Sequence, residues 1–597
     1  MKYKNLADMF FQKRMQMPEL TGYMFKKGNQ WIKVNYKDAV DRAERIAAGL
    51  IQLGLKKGDK VSIISANRIE WALTDYAVQS LGAILVPIYP SLLANQVSYI
   101  LNDSESVVVI VSDLIQYQKV ESVRTSLTFT KHFFYMDSEG IGSSDLWTGL
   151  DKLEQKGQEL LDQNPQIVSS GIDKVGLEDW ATIIYTSGTT GEPKGAILTN
   201  NNFLSNIEAA LEVFDISSDD NFLSFLPLSH IFERMAGHYL SCYTGCCVAY
   251  AESVDTVAEN LKEISPTLMI SVPRLYEKIY GKITETVESG SPVKRKIFYW
   301  AVNTGKKYIN KIMNKQPVPA LLKKKYALAH KLVFHKLHQA LGGRNRFMIS
   351  GGAPLSPDIA EFFGAIGVKI MEGYGLTETS PVITANVLDN FRFGTVGQPI
   401  PGVEVKIADD GEILTRGPHV MVGYYKKEAE TGEVIDSEGW FYTGDIGVFE
   451  DGMLKITDRK KNLIVTSGGK NIAPQPIENM LVTSHYIEQA VMIGDKRKYC
   501  TAIIVAAADA LKRWAKENSL ETDDYNRLIT LPQVKELMMS EIRRLTVNLA
   551  SYETIKDFVI SPTAFSIETG ELTPSLKVKR RVVEEKFSAQ IAAMYER

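Results

Sequence analysis

Apolar and polar residues follow two different periods along the first third of the chain. Residues 36–53 and 71–81 repeat apolar side chains every three or four positions, which predicts helices. Residues 60–64, 82–87 and 107–111 are short apolar runs bounded by turn-forming residues, which predicts buried strands. Continuously apolar strands that alternate with helices are typical of a parallel sheet covered on both faces. The pattern therefore predicts an α/β fold.

A strongly basic stretch lies between Glu288 and Asp358. It contains no acidic residue and fourteen lysines and arginines. Helix-like apolar spacing runs through residues 289–346 and is interrupted at Pro317 and Pro319, so the stretch is interpreted as a basic helical insertion. Two explanations of its charge stay open. It is either a solvated face that balances an acidic body, or a surface that attracts anionic lipid or another polyanion.

The pattern changes again toward the end of the chain. Residues 394–451 are rich in glycine and β-like, and mixed short strands and helices follow residue 461. The charged tetrapeptide at 458–461 stands between them and is predicted to be exposed, which makes it a candidate hinge. We therefore expect an N-terminal domain at 1–457, a hinge at 458–462 and a C-terminal domain at 463–597.

Overall composition narrows the class of protein. The 597 residues are 45% hydrophobic and 23% charged, which excludes disorder as the main state. The formal net charge of −3 gives no indication of nucleic-acid binding. Residues 1–20 lack the apolar core of a signal peptide, and the longest uncharged run, 76–102, is broken by glycine and proline. We therefore expect a soluble, cytoplasmic protein of several domains.

The cysteines do not indicate a structural disulfide or metal framework. Four cysteines in a chain of this length are too few for a disulfide-stapled scaffold. Cys242, Cys246 and Cys247 are close in sequence, but Cys500 is remote, and no CxxC or HxxxH spacing accompanies them. We expect reduced thiols that pack in the protein interior.

A loop rich in glycine and hydroxyl groups follows the apolar run at 182–185. It combines three glycines, four hydroxyls and one lysine, so backbone N–H groups and a cation can surround an oxyanion. Lys194 lies three residues after Gly191, which excludes the Walker spacing. We predict a phosphoryl-binding loop formed by Thr186, Ser187, Gly188, Thr189, Thr190, Gly191 and Lys194.

This loop resembles the signature loop of the adenylate-forming enzymes, the superfamily of acyl-CoA synthetases, luciferases and nonribosomal adenylation domains. The other blocks of the superfamily occur in order along nearly the whole chain. They are LPLSHIFER at 226–234 (acyl pocket), SGGAPL at 350–355 and EGYGLTET at 372–379 (adenine and metal), GWFYTGD at 439–445 (ribose), DRKK at 458–461 (hinge) and PSLK at 574–577 (terminal lysine). The resemblance implies a large N-terminal domain of two doubly wound αβ subdomains plus a β-rich, barrel-like subdomain. It also implies a small, mobile α+β C-terminal domain.

The resemblance implies roles in binding ATP and Mg²⁺. Glu378 would ligate Mg²⁺, a hard cation that suits carboxylate and phosphate oxygens, and Thr377 would contact the α-phosphate. Tyr374 would lie flat on the adenine. Asp445 would accept hydrogen bonds from the ribose hydroxyls, and Arg459 would also reach the ribose. Further nucleotide contacts are expected from Gly351, Gly352, Ala353, Pro354, Gly373 and Gly375.

By the same resemblance, Lys577 would hold the substrate carboxylate against the α-phosphate. Many relatives have Ser-Gly-Lys in this block, whereas the present chain has a leucine at position 576. The superfamily then rotates its C-terminal domain to admit CoA. Lys461 matches the hinge position, and residues 467–471 would line the CoA channel. His230 would form a gate or wall beside the acyl group, and no Ser–His–Asp triad is implied because the thiol attacks an activated carbonyl.

Three features resemble the bacterial long-chain or bubblegum-type branch of the acyl-CoA synthetases. They are the residues after His230, the helical insertion before Ser350, and residues 458–464. The expected activity is ATP- and Mg²⁺-dependent ligation of a long-chain fatty acid to CoA, with no nucleic acid as partner. Alternatives are a fatty acyl-AMP ligase that loads a carrier protein and a medium-chain or aryl acid–CoA ligase. A catalytically inactive lipid or nucleotide sensor is disfavoured by the presence of Glu378, Lys577 and Lys194. Peripheral membrane association through the basic insertion and a homodimer are left open.

Overall fold

The strands of the described residues lie between Thr21 and Ile560. This computed structural model describes residues 1–142, 144–186, 192–520, 522, 524–573 and 577–596. The strands are β1 Thr21–Lys27, β2 Gln30–Asn35, β3 Lys60–Ile64, β4 Ile84–Ile88, β5 Ser106–Val111, β6 His132–Tyr135, β7 Trp147–Gly149, β8 Trp180–Thr186, β9 Lys194–Thr199, β10 Asn221–Ser224, β11 Cys247–Tyr250, β12 Leu268–Ser271, β13 Phe347–Ser350, β14 Ile370–Gly375, β15 Val382–Ala385, β16 Gln398–Pro399, β17 Glu404–Ile407, β18 Glu412–Arg416, β19 Gly423–Tyr424, β20 Phe441–Glu450, β21 Met453–Arg459, β22 Ile464–Val465, β23 Asn471–Ile472, β24 Ile487–Ile493, β25 Cys500–Ala506 and β26 Ile555–Ile560.

The helices alternate with the strands over most of the chain and cluster in the basic insertion. They are α1 Leu6–Phe11, α2 Lys13–Gln16, α3 Tyr36–Gln52, α4 Ile69–Ser80, α5 Ala94–Asp103, α6 Leu114–Val123, α7 Leu150–Gln163, α8 Ile167–Ile172, α9 Asn200–Val213, α10 Leu240–Thr244, α11 Val257–Ile264, α12 Pro273–Glu288, α13 Pro292–Met313, α14 Ala320–Ala329, α15 His335–Ala340, α16 Pro357–Ala365, α17 Glu428–Gly432, α18 Pro474–Leu481, α19 Ala508–Glu517, α20 Tyr525–Leu528, α21 Pro532–Leu545, α22 Arg580–Lys586 and α23 Ser588–Tyr595. Two segments in the described ranges, Glu233–Tyr239 and His330–Phe334, are π-helical.

The first mixed sheet contains the strands predicted at 60–64, 82–87 and 107–111. Its order is β19-β9-β8-β4-β3-β5-β6-β7. The strands from β8 to β7 are parallel, whereas β9 and β19 are antiparallel to their neighbours. The prediction of a parallel sheet is therefore confirmed for its interior and wrong for one edge. The reason is that only residues 187–193 connect β8 to β9, and a parallel crossover needs a dozen or more residues.

A second mixed sheet has the order β16-β15-β14-β13-β12-β10-β11-β1-β2. It is parallel from β14 to β1 and antiparallel at both edges. One continuous apolar cluster connects it to the first sheet and includes Ile63, Trp71, Phe203, Phe222 and Ile270. The two sheets therefore share a packed core, and the polar blocks follow the carboxyl ends of strands such as β13 and β14.

Two smaller sheets complete the fold. The order β17-β18-β20-β21 is antiparallel throughout and accounts for the predicted β-rich region. In the C-terminal part, β24, β25 and β26 form a sheet with apolar clusters on both faces. One cluster contains residues of α18, α19 and α21, and the other contains residues of α22 and α23. The large N-terminal part and smaller α+β C-terminal part agree with the predicted fold class.

The charged tetrapeptide at 458–461 is not uniformly exposed, contrary to the prediction. Asp458 is buried at the end of β21, where its carboxylate accepts hydrogen bonds from the backbone N–H groups of Arg459 and Gln475. Gln475 lies in the first turn of α18, whose N–H groups lack partners within the helix. Lys460 forms ion pairs with Asp410 and Glu412. The segment therefore contacts the β-rich region through Lys460 and the C-terminal part through Asp458.

Most of the cysteines lie in the interior and the basic insertion is helical, as the sequence predicted. All four cysteines are free, and Cys242, Cys246 and Cys500 are buried. Cys242 packs in the main core. The basic insertion is helical in α13, α14 and α15. No helix in the described ranges is both long and apolar enough to cross a bilayer.

Candidate active site

A cleft of about 3300 Å³ lies between the large N-terminal part and the C-terminal part. It is lined by most of the residues predicted to act in binding or catalysis, although they are far apart in sequence. From that set the cleft contains Thr186, Lys194, His230, Gly351, Gly352, Ala353, Pro354, Gly373, Tyr374, Gly375, Thr377, Glu378, Asp445, Arg459, Lys461 and Lys577. The fold therefore brings the separate sequence blocks to one site.

The predicted phosphoryl-binding loop lies in sequence between β8 and β9, which are antiparallel neighbours in the first sheet. Thr186 and Lys194 are paired at the end of the β8–β9 ladder, and the Thr186 hydroxyl donates to the Lys194 carbonyl at 3.4 Å. The Lys194 ammonium lies 5.2 Å from the centroid of the Tyr424 ring. The other predicted residues, Ser187, Gly188, Thr189, Thr190 and Gly191, lie outside the described residues. The described ends of the loop place one cation at the cleft.

Tyr374, Asp445 and Arg459 form a connected group. The Tyr374 hydroxyl donates to Asp445 Oδ2 at 2.8 Å, and Arg459 Nε lies 3.0 Å from Asp445 Oδ1. Asp445 and Arg459 face each other because they are paired residues of β20 and β21. Both oxygens of the buried carboxylate thus have one protein partner, and each retains further acceptor capacity for a ligand hydroxyl.

Two glycines of the nucleotide blocks are closely packed, and at Gly375 the packing leaves no space for a side chain. A Cβ atom at Gly375 would lie 1.6 Å from the Pro381 carbonyl oxygen, and one at Gly351 would lie 2.9 Å from the Phe232 ring. A side chain at Gly375 would therefore force the backbone apart. Gly375 therefore lies against the backbone of Pro381, just before β15, and Gly351 lies against the Phe232 ring.

Glu378 is the metal-ligand candidate, and its surroundings suit Mg²⁺. Its carboxylate lines the cleft, and Oε1 accepts a hydrogen bond from the Tyr424 hydroxyl at 2.9 Å. Within the described ranges, no cluster of three or more His, Cys, Asp or Glu side chains could hold a metal ion. A single oxygen ligand beside a phosphate site suits Mg²⁺, which commonly combines one or two carboxylates with substrate phosphates and water.

Lys577 lies in the same cleft although it is 199 residues from Glu378 in sequence. Its backbone N–H donates to Thr573 Oγ1 at 3.0 Å, and its carbonyl accepts from the Thr573 N–H at 2.8 Å. Residues 574–576 of the block lie outside the described residues. Burial and the Arg459 guanidinium lower the pKa of Lys577 to about 8, although Asp445 and Glu378 oppose the shift.

The balance of charge around Lys577 favours an anionic ligand. Arg459 and Lys461 add positive charge, whereas Asp445 and Glu378 add negative charge. The excess of cations in a partly desolvated cleft would attract a polyphosphate more strongly than the same charges in water. The segment 467–471, predicted to line a CoA channel, is exposed and does not line the cleft in this conformation.

His230 lines the cleft close to Lys577. Burial and the positive charge of Lys577 lower the pKa of His230 to about 3, so its imidazole is neutral at ordinary pH. Its Nδ1 accepts a hydrogen bond from the Phe232 N–H at 3.2 Å. The cleft also has apolar lining residues that belong to, or pack against, one apolar cluster: Ala210, Phe214, Ile216, Phe222, Met235, Ala236 and Leu240.

Arg234, at the end of the predicted acyl-pocket block, is structural rather than exposed to the cleft. It is fully buried and donates to Asp75 Oδ1 and Thr182 Oγ1, each at 2.6 Å. The Tyr239 hydroxyl donates to Asp75 Oδ2 at 2.7 Å. Although burial would raise it, the Arg234 guanidinium holds the pKa of Asp75 well below its usual value. The network attaches the π-helical segment, which carries Met235 and Ala236, to α4 and β8.

Comparison with known proteins identifies the family. A model of the AMP-binding enzyme family matches residues 10–425, and a model of the AMP-binding enzyme C-terminal domain matches residues 461–597. The chain belongs to the AMP-binding enzyme family. The superfamily resemblance seen in the sequence blocks is thereby confirmed.

Relatives of this AMP-binding enzyme align along nearly its entire length. The long-chain-fatty-acid–CoA ligase FadD15 of Mycobacterium bovis is 36% identical over 598 residues, covering 100% of this chain and 97% of the relative. The peroxisomal long chain acyl-CoA synthetase 7 of Arabidopsis thaliana is 34% identical, covering 94% of this chain and 81% of the relative. The anthranilate CoA ligase AuaEII, solved in complex with anthranoyl-AMP, has a TM-score of 0.76 at 18% identity, covering 99% and 98%. That last similarity establishes the fold alone.

Sequence reasoning missed Tyr424 in this AMP-binding enzyme. The tyrosine contacts both Glu378 and Lys194, and it reaches them because β19 pairs with β9, with Tyr424 opposite Ala196. The available signal was a Tyr-Tyr pair in a glycine-containing stretch at 423–425. That signal does not reveal which strand the segment joins, so the contact could not have been predicted from sequence alone.

Proposed function

We propose that the chain activates a long-chain fatty acid with ATP and then transfers the acyl group to CoA. The observation that carries the proposal is that a single cleft combines the cationic group around Lys577 with a large set of apolar lining residues. The cationic group would bind a polyphosphate and a carboxylate, and the apolar lining would contact an alkyl chain. The names of relatives that align over the full chain support the same substrate class.

In the proposed first half-reaction, a carboxylate oxygen of the acid attacks the α-phosphorus of ATP and pyrophosphate leaves. Two anions must approach each other, so positive charge placed at the reacting atoms should contribute most to the rate. Lys577 would lie between the carboxylate and the α-phosphate, with Thr377 on the same phosphate. Lys194 would neutralise the outer phosphates. Glu378, oriented by Tyr424, would hold Mg²⁺, which supplies further neutralisation when bound.

Binding of the nucleoside would follow from the remaining blocks. Asp445 would accept hydrogen bonds from the ribose hydroxyls, and Arg459 would keep its carboxylate oriented. Tyr374 would contact the adenine while its hydroxyl remains bonded to Asp445. The segments at 351–354 and 373–375 would form the walls of the adenine site.

In the proposed second half-reaction, the CoA thiol attacks the acyl carbonyl and AMP leaves with the bonding electrons. Lys577 lines the cleft in this conformation, and the segment 467–471 does not. A rotation of the C-terminal part about Lys461 would move Lys577 out of the cleft and bring the segment 467–471 into it. The domains at 1–457 and 463–597 and the hinge at 458–462 are part of this proposal.

The first test is consumption of the CoA thiol with ATP and Mg²⁺ across acids from acetate to stearate. Thiol loss that is greatest with long-chain acids would support the proposal. A maximum with short or aryl acids would keep the ligase and reject the substrate class. Acid-dependent release of pyrophosphate without thiol loss would indicate a carrier-protein acceptor. If no acid causes thiol loss or pyrophosphate release, a non-catalytic sensor would be favoured.

We also propose a cytoplasmic location with peripheral attachment to the inner face of a membrane through the basic insertion. The supporting observation is that the insertion, residues 289–346, combines fourteen basic residues with no acidic residue. A homodimer stays a prediction, and light scattering of the purified chain at two concentrations would test it.

A further inference from the structure

A stripe of exposed leucines runs along the second half of the basic insertion. Leu321, Leu328 and Leu332 are 64%, 49% and 49% exposed. They are seven and four residues apart, the spacing that places side chains on one face of a helix. Large apolar side chains scattered singly on a surface need no explanation, but a helical row of them does.

The opposite face of the same helical stretch already packs against the body of the protein. Ala329 and Phe334 are buried, and the Tyr326 ring stacks on Tyr308 of α13 with centroids 4.1 Å apart. Leu321 and Leu328 are therefore not needed to hold α14 against the body of the protein. The helix has an apolar face toward the core and a second apolar stripe toward the surroundings.

Lysines border the leucine stripe on both sides. On a helical projection, Lys324 and Lys325 fall within about 60° of the line through Leu321 and Leu328. Both are exposed, as are Lys323, Lys331 and Lys336. None of these five lysines has an acidic residue on its own helical segment, because the insertion contains none.

We propose that the stripe formed by Leu321, Leu328 and Leu332, with its bordering lysines, inserts into the headgroup region of an anionic lipid surface. A helix with basic residues beside an apolar face lies in the plane of such a surface, with its apolar side chains below the headgroups. The exposed leucines favour a lipid surface over a soluble polyanion as the partner. A nucleic acid or another soluble polyanion would use the lysines and leave the leucines in water. The inference rests on the proposed function, because a surface that dissolves fatty acids would supply the substrate.

The test is co-sedimentation of the full-length chain with vesicles of phosphatidylcholine alone or mixed with phosphatidylserine. We expect binding to the mixed vesicles only, weaker at high salt. Leu328→Asn combined with Leu332→Asn keeps every charge and should reduce partitioning by roughly tenfold. Lys324→Gln combined with Lys325→Gln should also reduce it by roughly tenfold or more, and should weaken its salt dependence.

The matched control is Leu146→Asn. Leu146 is 54% exposed, follows Asp145 and lies far from the insertion in sequence, so the change should leave vesicle binding unaltered. Circular dichroism and turnover of a water-soluble medium-chain acid should be unchanged in all variants. Equal vesicle binding by the leucine variant and the wild type would overturn the role of the stripe. Tight binding to polyphosphate or RNA, with no binding to mixed vesicles, would overturn the lipid partner.

Failure of this inference is distinguishable from failure of the proposed function. If the wild type forms acyl-CoA from soluble acids but does not bind mixed vesicles, the lipid surface is rejected and the ligase stands. If the wild type binds mixed vesicles through the leucines but activates no acid, the lipid-binding inference is supported and the proposed ligase function is rejected.

Discussion

Lys577 carries its ammonium group in a cleft that is partly shielded from water and shared with two other cations. Arg459 and Lys461 are close enough to disfavour its protonation, and Asp445 and Glu378 are close enough to support it. Without a ligand, the lysine is therefore easier to deprotonate than one on the surface. A bound polyphosphate would reverse this balance, which is the arrangement expected of a group that neutralises charge during reaction.

Replacing Lys577 with alanine should abolish most of the first half-reaction. We expect pyrophosphate release to fall by roughly a hundredfold to a thousandfold, because the cation between the two anions is lost. Thioester formation from preformed acyl-adenylate and CoA should be largely retained. Arg543→Ala, which removes an exposed arginine of α21 that does not line the cleft, is the control and should change neither step. Equal loss of both half-reactions in Lys577→Ala would contradict the assigned role.

The pH dependence of the first half-reaction should report the same group. Lys577 must be protonated to act, and its pKa is about 8 in the free protein. The kcat/KM for pyrophosphate release should therefore decrease as pH rises through about 8. The second half-reaction should instead increase over that range, since a free thiol ionises near ~8.5. A flat profile for the first half-reaction up to pH 10 would exclude Lys577 as the titrating group.

At the scale of elements, the antiparallel edge of the first sheet assembles the phosphate side of the cleft. β9 pairs with β8 on one side and with β19 on the other. The first pairing places Lys194 opposite Thr186, and the second brings Tyr424 to Glu378. Three sequence blocks that share no local signal are thus held at one sheet edge by backbone hydrogen bonds.

Tyr424→Phe should weaken the use of Mg²⁺ without disturbing the fold. The change removes only the hydroxyl that orients the Glu378 carboxylate, and lost support of a metal ligand commonly costs ~10-fold or more in metal affinity. The measurement is the Mg²⁺ concentration at half-maximal pyrophosphate release. Tyr425→Phe is the matched control because its hydroxyl donates to Glu105 instead. The idea would be wrong if both variants shifted the Mg²⁺ dependence equally.

At the scale of the whole molecule, α12 is a docking surface for the C-terminal part. Arg274 donates to the Glu488 carbonyl at 2.9 Å, and Glu285 forms an ion pair with Arg513 of α19. Nearer the cleft, Asn479 donates to the Pro354 carbonyl at 3.4 Å. These contacts favour the arrangement in which Lys577 occupies the cleft.

Arg513→Glu should disfavour that arrangement and slow the first half-reaction. The pair is partly exposed, so we expect a decrease of only roughly two- to fivefold. Adding Glu285→Arg should restore the rate, since the reversed pair can form in the same place. Arg527→Glu, at an exposed position of α20, is the control for charge alone. Rates that are unchanged in Arg513→Glu, or not restored in the double variant, would show that the pair does not influence the arrangement.

Sequence reasoning predicted the family blocks, the interior strands and the helical insertion, because these depend on local composition and short-range periodicity. The sheet edge was not predicted correctly, since the direction of β9 depends on the short connection after β8. The buried position of Asp458 was also missed, because its partner Gln475 lies on another element. The roles of Lys577, Glu378, Asp445 and His230 stay predictions, although the fold does bring these residues to one cleft.

The sequence by itself determined the membership in the AMP-binding enzyme family and which residues are chemically equipped to act. Those properties reside in side-chain identity and order along the chain. Only the tertiary structure decided that Tyr424 contacts Glu378, that Arg234 is buried against Asp75, and that Leu321 and Leu328 of α14 are exposed. Each of these depends on which distant segments pack together, and packing is set by the whole core rather than by any local pattern.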